Sequence, residues 1–397
     1  MSIAGGSAAC FRFTGHGSSD VMILNRHLLI SPAPGTTREL HSLHFGPAAG
    51  GSKAVIQASL HADEVPALLV AHHLRSRLAG LERRGLLRGE VVLVPVANPI
   101  GLSQRVLHGH QGRFDLASGE NFNRHFADLV PRVCEMVERQ LVDEELANVA
   151  LVRRALRQAC VDQPAATELQ SLRRTLLGLA IDADVVLDLH SDNEAVMHVY
   201  TTPALWADVE PLVRLLGAEV CLLAAESGDD SFDEACSTVW PRLAALISRQ
   251  LGRPIALPAA CVAATVELRG ETDVSHELAA ADADALIEYL AWRGFVDRVT
   301  LPLPDLRREP TPLAGAMPVT APHGGVLVFR RELGADVRRG EHIADLVDPL
   351  SGLVTLLTSP VDGVLYARES RRLATAGARV ANIAGREPLR KGKLLSD

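Results

Sequence analysis

The sequence predicts a large α/β domain, with a mixed but mainly parallel sheet and helices on both faces, followed by a small all-β domain. The chain has 397 residues, more than a single hydrophobic core usually supports. Strand-like and helix-like segments alternate from about residue 53 to residue 293, which is typical of a parallel sheet covered by helices. Beyond a Pro-rich stretch, two valine- and glycine-rich copies of about 37 residues follow each other. We therefore expect domains at 1–300 and 318–397, joined by a linker over residues 301–317.

The strands are predicted from short apolar runs bounded by Gly, Pro, Asn or Asp. In chain order they lie at 22–24, 28–30, 54–60, 90–96, 185–189, 196–201, 219–224 and 263–268. The runs at 54–60 and 185–189 are almost entirely apolar, and only Asp188 interrupts the second one. Such runs indicate strands that are buried on both faces of the sheet.

The helices are predicted from apolar residues that recur every three or four positions. The first spans 66–81 and begins at Pro66, where the missing N–H costs nothing. Residues 126–180 are expected to form two or three helices with a break at Asp162-Gln163-Pro164, and a helix over 282–293 closes the α/β part. A Gly-rich loop at 101–123 follows Asn98-Pro99.

The C-terminal part contains an internal repeat. Residues 320–327 match residues 358–365 at an offset of 38, and residues 340–344 match residues 377–381 at an offset of 37. Two such copies predict two interlocked β-units that form a small sandwich. This arrangement resembles the biotinyl/lipoyl-type domain, whose carrier members place a lysine on the hairpin between the copies. Residues 348–352 contain no lysine here, which excludes a swinging-arm carrier.

Composition and charge exclude several classes of protein. The formal net charge of −8 argues against a nucleic-acid-binding chain, which needs a basic surface. No apolar run approaches the ~20 residues of a membrane span, and Met1–Cys10 lacks the pattern of a signal peptide. The six cysteines are scattered without a Cys-x-x-Cys pair, which favours reduced thiols in a cytoplasmic protein.

Three polar sites follow predicted strands. His61 and Glu64 come just after the strand at 54–60, His190 ends the strand at 185–189, and Glu267 lies near the end of the strand at 263–268. In an open parallel sheet, ligands bind in the crevice outside the carboxyl ends of the strands. Two histidines and a glutamate with an open fourth position are typical of catalytic zinc. Glu267 supplies the carboxylate that a hydrolytic zinc site needs as a general base.

These residues resemble the zinc carboxypeptidase-like superfamily. Asn98-Pro99, Asn123-Arg124, the Gly-rich loop and the C-terminal β-domain make the chain look like the succinylglutamate desuccinylase/aspartoacylase branch. Within it, segments such as 59–66 and 112–124 look closest to a bacterial subgroup that includes the deacetylase of N-acetyl-2,4-diaminobutyrate. The resemblance implies a zinc carboxypeptidase-like fold and one zinc ion per chain, held by His61, Glu64 and His190.

The resemblance also assigns roles to the remaining site residues. Glu267 is implied as the general base and acid, and Asn123 with Arg124 as the pair that holds the substrate carboxylate. An upstream arginine polarises the scissile carbonyl in the family, and both Arg113 and Arg105 are candidates here. We prefer Arg113 because it lies nearer to the Asn-Arg pair.

The acidic run Asp229, Asp230, Asp233 and Glu234 has two interpretations. A run of charges is usually a solvated loop, and in this case the segment would only bury Phe232. In a crevice, Asp233 and Glu234 would instead bind a substrate that carries an ammonium group. We adopt the second interpretation as a hypothesis, because a substrate with one carboxylate and one ammonium needs an anchor of each sign.

Three functions remain open from the sequence. We favour a zinc-dependent amidohydrolase that removes an acyl group, expected to be acetyl, from a small N-acyl amino acid such as N-acetyl-2,4-diaminobutyrate. The alternatives are an exopeptidase with the same site and a binding protein that has kept an inherited zinc site. The expected partner is a small N-acyl amino acid, with no nucleic acid and no membrane, and a homo-oligomer is compatible with the sequence.

Overall fold

A computed structural model describes residues 10–12, 22–47 and 51–395 of the chain. The expectation that Met1–Cys10 contains no signal peptide falls almost wholly outside these residues. The strands are β1 Cys10–Arg12, β2 Ile23–Leu28, β3 Glu39–Phe45, β4 Lys53–Ala58, β5 Glu90–Val94, β6 Arg105–Val106, β7 Gly109–His110, β8 Val185–Asp192, β9 Glu194–Ala195, β10 His198–Thr201, β11 Val220–Leu223, β12 Val262–Gly270, β13 Thr311–Pro312, β14 Ala316–Thr320, β15 Gly325–Phe329, β16 Asp336–Val337, β17 His342–Val347, β18 Val354–Thr358, β19 Gly363–Arg368, β20 Leu373–Ala374 and β21 Arg379–Gly385. The helices are α1 Pro66–Arg83, α2 Pro99–Leu102, α3 Val130–Val137, α4 Glu145–Val161, α5 Glu168–Ala180, α6 Trp206–Leu216, α7 Phe232–Ser237, α8 Val239–Leu251 and α9 His276–Trp292.

The α/β part is built on one ten-stranded sheet with the order β1-β2-β3-β5-β4-β8-β12-β10-β11-β13. The central strands β5, β4, β8 and β12 run parallel to one another. Strand β10 is antiparallel to β12, whereas β11 is parallel to β10. The mixed, mainly parallel sheet predicted from the alternating pattern is confirmed.

Helices cover both faces of this sheet and enclose two hydrophobic cores. Because side chains alternate along a strand, adjacent residues of β4 face opposite cores. Ile56 packs in the core under α1, α6 and α9, and Val55 packs in the core under α3, α4, α5, α7 and α8. This double burial explains why the central strands are apolar throughout.

Several element boundaries differ from the prediction for identifiable reasons. The two short strands expected at 22–24 and 28–30 are one strand, β2, which pairs with β3 along its whole length. Helix α9 begins at His276, because the Ser275 side chain accepts a hydrogen bond from the N–H of Leu278 and caps the helix. The break expected at 162–164 separates α4 from α5, which begins after the capping residue Thr167.

The C-terminal strands form a β-module in which the sequence repeat is visible as structure. The first copy contains β14, β15, β16 and β17, and the second copy contains β18, β19, β20 and β21. One sheet has the order β14-β21-β19-β16 and the other β18-β17-β15-β20, so that each sheet takes two strands from each copy. Residues of both sheets, such as Ile343 and Ile383, share one core. The two interlocked units expected from the repeat are therefore present.

The β-module and the α/β part are joined through strand pairing as well as through the chain. Strand β13 pairs with β11 of the large sheet, and β9 pairs with β19 of the module. Strand β14 begins at Ala316, so strand pairing already starts within the stretch expected to be a linker. Residues 297–310 connect the two parts and have no regular secondary structure.

The described cysteines lie in the interior of the protein. Five cysteines are buried and unpaired, namely Cys134, Cys160, Cys221, Cys236 and Cys261. The thiol of Cys10 lies outside the side chains that the structure describes. In the described part of the chain, no helix is long and apolar enough to cross a membrane.

Candidate metal centre and substrate cleft

The three polar strand ends meet at one edge of the large sheet. His61 and Glu64 follow β4, and His190 and Glu267 lie on the neighbouring strands β8 and β12. Because β8 and β12 are parallel, Glu267 stands directly beside His190 in the register. The sheet topology therefore brings together the four residues that the sequence singled out.

Among the residues that the structure describes, one group of side chains could hold a metal ion, namely His61, Glu64 and His190. Their ligand atoms lie within 4.8 Å of one another, and all three residues are buried. Nδ1 of His61 lies 2.9 Å from Oε1 of Glu64, and Nδ1 of His190 lies 2.8 Å from Oε2. The three side chains thus converge on one point through two imidazole nitrogens and a carboxylate.

Polar groups outside the cluster lie next to Nε2 of each histidine, while Nδ1 faces Glu64. Nε2 of His61 lies 2.8 Å from Oδ1 of Asn121, and Nε2 of His190 lies 3.0 Å from Oδ2 of Asp188. The Asn121 oxygen accepts the proton on Nε2 of His61, which leaves the Nδ1 lone pair for a cation. At His190 the Asp188 carboxylate favours the same arrangement, and Nδ2 of Asn123 also lies 3.3 Å from Nε2. Asp188 is itself held by Gln57, whose Nε2 donates to Oδ1 over 2.9 Å. This donor set fits a zinc ion with three protein ligands.

Glu64 is the negatively charged member of the cluster, and positively charged groups lie around it. Although burial opposes its ionisation, the two histidines hold the pKa of Glu64 well below its usual range. Burial lowers the pKa of His61, whereas Asp188 and Glu64 outweigh burial at His190 and raise its pKa. A positive group already lies next to these atoms, because Nη1 of Arg113 is 3.1 Å from both Nδ1 of His61 and Oε1 of Glu64.

The loop after β4 is shaped by close backbone contacts. Ser59 has a positive φ of 58°, and its hydroxyl donates to the carbonyl of Glu64 over 2.8 Å. The amide of Ala62 donates to the carbonyl of Gly112 over 3.0 Å. A Cβ at Gly112 would lie only 2.1 Å from the backbone nitrogen of Asp63, so glycine is required there. This contact places Arg113 next to the metal-binding cluster.

Glu267 lines the same cleft with its carboxyl group largely buried. Its Oε2 atom is buried and has no hydrogen-bond partner among the described residues. Burial, reinforced by the nearby carboxylate of Glu64, raises the pKa of Glu267 well above its usual value. A carboxylate with a raised pKa beside a metal-binding cluster has the properties of a general base.

The structure distinguishes the two arginines that remained candidates from the sequence. Arg113 lines the cleft, whereas Arg105 lies exposed on the short hairpin formed by β6 and β7 and does not line it. The side chain of Arg113 keeps 44% of its surface exposed, so it can reach a ligand.

Asn123 and Arg124 also line the cleft and are tied to the opposite wall. Oδ1 of Asn123 accepts the N–H of Phe232 at the start of α7 over 2.9 Å. Nη1 of Arg124 donates to the carbonyl of Asn123 over 2.7 Å. Asn121 supports this turn as well, because its Oδ1 accepts the N–H of Asn123 over 2.9 Å.

Asp233 and Glu234 of the acidic run lie in the cleft, whereas Asp230 is exposed. Phe232 is fully buried, but Asp233 and Glu234 line the cleft and do not form a solvated face. The hydroxyl of Ser231 donates to Asp233 over 2.7 Å, and burial raises the pKa of Asp233. Oε1 of Glu234 accepts the N–H of Ser227 over 2.6 Å, and burial together with Asp233 raises the pKa of Glu234 to about 7.

The β-module closes the far side of the cleft, which encloses about 240 Å³. Residues of the module and of the segments next to it that line the cleft are Leu313, Tyr366, Arg379, Asn382, Arg390, Leu394 and Leu395. These residues lie far along the chain from the candidate metal ligands and belong to no sequence motif. Their place in the cleft therefore could not be predicted from the sequence. A cavity of this size accommodates a small molecule.

The histidines of the Gly-rich loop stay apart from the metal-binding cluster. His108 is exposed, and Nε2 of His110 lies 3.0 Å from the carbonyl of Gly101. On the other side of the sheet, His72, His73 and His276 lie near each other at the surface between α1 and α9. They are therefore surface residues, apart from the cleft.

Most of the α/β part matches the model of one known protein family. Residues 50–291 match the model of the succinylglutamate desuccinylase/aspartoacylase catalytic domain. A family protein from Shewanella amazonensis shares 25% identity with a TM-score of 0.79, over 91% of this chain and 98% of that chain. One from Shewanella frigidimarina shares 21% identity with a TM-score of 0.80, over 92% of this chain and 98% of that chain.

A third similar structure is the product-bound ectoine utilization protein EutE (DoeB) from Ruegeria pomeroyi. It shares 16% identity with a TM-score of 0.64, over 92% of this chain and 96% of that chain. At this identity the similarity concerns the fold alone. No curated protein matches the sequence of this chain.

Proposed function

Because the chain belongs to the succinylglutamate desuccinylase/aspartoacylase family, a family of amide hydrolases, we propose that it is a zinc-dependent deacylase of small N-acyl amino acids. The observation that carries the proposal is the convergence of His61, Glu64 and His190 on one point, with Glu267 beside them. When bound, zinc polarises a carbonyl group and lowers the pKa of water. The three ligands would hold the ion, and their outer partners Asn121 and Asp188 would keep the imidazoles oriented.

The residues around the cluster carry the steps of amide hydrolysis. Glu267 takes a proton from the attacking water and returns it to the nitrogen of the leaving amine. Arg113 donates hydrogen bonds to the carbonyl oxygen, on which negative charge develops as water attacks. Asn123 and Arg124 hold the substrate carboxylate, for which a planar guanidinium has the right geometry.

We further propose that the substrate carries an ammonium group, as N-acetyl-2,4-diaminobutyrate does. Asp233 and Glu234 are two carboxyl groups of the cleft wall. Among the described residues, neither forms an ion pair with an arginine or a lysine, and both accept hydrogen bonds from serines. Glu234 is the better anchor of the two, since Asp233 is more deeply buried and accepts the Ser231 hydroxyl. A dianionic substrate such as N-acetylaspartate would bring like charges together in a partly desolvated cleft.

Kinetics on matched substrates test this function. We expect zinc-loaded protein to release acetate from N-acetyl-2,4-diaminobutyrate with a higher kcat/KM than from N-acetylaspartate, and to leave short peptides intact. Glu234→Gln should reverse or flatten this ranking, and Asp233→Asn should change it less. Because neither substitution alters the volume of the side chain much, the two variants serve as controls for each other.

Two results would contradict the proposal at different levels. Stoichiometric zinc without hydrolysis of any N-acyl amino acid would reject the enzymatic function and favour the binding protein. A preference for N-acetylaspartate that both variants retain would leave the hydrolase in place but reject the acidic residues as selectors.

A further inference from the structure

We propose that residues 389–395, here called the strap, form one wall of the substrate cleft and determine how long a substrate side chain the cleft accepts. The strap acts by holding the loop at 226–231, called the acidic loop. This inference rests on the proposed function, because it concerns the specificity of the same site.

The strap is anchored at both of its ends by backbone hydrogen bonds. At its beginning, the amides of Leu389 and Arg390 donate to the carbonyl of Ala314 over 3.0 and 2.9 Å. At its end, the amides of Leu394 and Leu395 donate to the carbonyl of Ser227 over 2.8 and 3.1 Å. The strap therefore spans from the segment before β14 to the acidic loop, which lies next to the cleft.

A side-chain contact reinforces the attachment to the acidic loop. Nζ of Lys393 forms an ion pair with Asp229. The aliphatic part of Lys393 packs on Gly228, where an added Cβ would lie 3.1 Å from Cβ of Lys393. Gly228 also has a φ of 112°, a backbone angle that residues with a side chain rarely adopt. Glycine is therefore needed both for this turn and for this contact.

The acidic loop connects the strap to the cleft through hydrogen bonds. Ser227 accepts the two strap amides with its carbonyl, and its own N–H donates to Oε1 of Glu234 over 2.6 Å. On the other side, the carbonyls of Asp229 and Asp230 accept the amides of His125 and Phe126 over 2.7 and 3.0 Å. His125 and Phe126 directly follow Asn123-Arg124. The strap thus supports both proposed anchors of the substrate through one loop.

The strap also contacts the cleft directly. Leu394 is 8% exposed, and together with Leu395 it lines the same cleft as Glu234. Because apolar side chains cannot solvate an ammonium group, these leucines would keep the ammonium group of a substrate close to Glu234. A shorter residue at 394 would lengthen the cleft without adding or removing a charge.

Two substrates of equal charge but different length test the strap. We expect Leu394→Ala to raise the kcat/KM ratio of Nα-acetyllysine to N-acetyl-2,4-diaminobutyrate by about tenfold, within the range that methylene-sized changes of a pocket produce. Lys393→Ala should raise hydrogen–deuterium exchange at the amides of Ser227, His125 and Phe126. Lys391→Ala, at an exposed lysine of the same strap, is the matched control and should change neither quantity.

Each other outcome counts against the strap. Faster exchange in Lys393→Ala with an unchanged substrate ratio in Leu394→Ala would reduce the strap to a structural support. Unchanged exchange, or equal effects of Lys391→Ala, would show that the strap does not hold the loop. If the wild-type protein hydrolyses no N-acyl amino acid, the proposed function and the specificity role fail together, while the exchange experiment alone still decides whether the strap holds the acidic loop.

Discussion

Glu267 stands beside His190 in the parallel register of β12 and β8, with both residues at the carboxyl end of the sheet. The backbone hydrogen bonds of two buried strands fix the spacing of this pair. A proposed base and a proposed metal ligand therefore belong to one rigid part of the molecule, and not to separate loops. Their geometry should survive changes elsewhere in the cleft, which makes single substitutions at this pair informative.

Loss of a ligand should release the metal. His61→Ala or His190→Ala removes one of three protein ligands, so we expect dialysed protein to contain far less zinc than the wild type. Metal analysis by mass spectrometry measures this directly. His276→Ala, at an exposed histidine of α9, is the control and should keep the wild-type content. Full zinc retention in both ligand variants would reject the assignment.

Glu267→Gln should keep the metal and lose activity. The amide is nearly isosteric with the carboxylate but cannot accept a proton from water. General-base catalysis contributes about 10²–10⁴-fold, so kcat should fall by that amount. Steady-state kinetics on zinc-loaded protein measure the loss, and a decrease of less than about tenfold would exclude Glu267 as the base.

Arg113 and Arg105 should behave differently. Arg113 lies next to the metal-binding cluster, and loss of a donor to a developing oxyanion costs about 10²–10³-fold in kcat. Arg113→Ala should therefore lower kcat by that amount, whereas Arg105→Ala should retain wild-type kinetics. Equal losses of kcat in the two variants would contradict a specific role of Arg113 at the carbonyl oxygen.

The ion pairs of Asp182 should make the free energy of unfolding depend on pH. Nζ of Lys53 and Nη1 of Arg157 each lie 2.7 Å from one of its oxygens, and they outweigh burial to lower its pKa. A carboxyl group with a lowered pKa in the folded state stabilises the fold above its unfolded pKa of about 3.9. This stabilisation is lost as the pH falls through the folded pKa.

We expect Asp182→Asn to destabilise the protein by about 1–2 kcal/mol at pH 7 and by less near pH 3. Thermal unfolding at both pH values gives the difference between the variant and the wild type. Asp143→Asn, with a side chain that is 94% exposed, serves as the control. A difference that stays constant between the two pH values would show that the ion pairs of Asp182 do not stabilise the fold.

Proteolysis should separate the α/β part from the β-module. Residues 297–310 lack regular secondary structure, and Val299 is 94% exposed. We expect a protease of broad specificity to cut first near 299–306, upstream of the paired residues of β13. Early cleavage within the repeats, with this segment intact, would argue against a domain boundary here. Mass spectrometry of the early fragments identifies the site.

The grouping of the candidate metal ligands could be predicted because its signal is local. His61 and Glu64 follow β4, His190 and Glu267 lie near the ends of β8 and β12, and the parallel order of these strands brings the residues together. The repeat likewise shows the strand content of the β-module, since each copy repeats its own pattern. Both inferences need only periodicity and position along the chain.

The remaining features depend on contacts between distant segments. Asn121 supports His61 across the Gly-rich loop, and Ser227 supports Glu234 from the strap side, yet neither residue belongs to a pattern. Helix α6 was not predicted because Pro211 interrupts its pattern. Such roles follow from tertiary packing, which the sequence of one segment does not contain.

The pairing of β9 with β19 has a consequence for the independence of the β-module. One edge of β19 is shared, because β16 covers its first half and β9, from the α/β part, covers its second half at Ala367 and Arg368. Produced alone, the module would present that half of the strand as bare backbone donors and acceptors. Such an open edge readily recruits a strand from another molecule. The isolated module should therefore be prone to self-association, whereas the same strand in the whole chain is protected from aggregation.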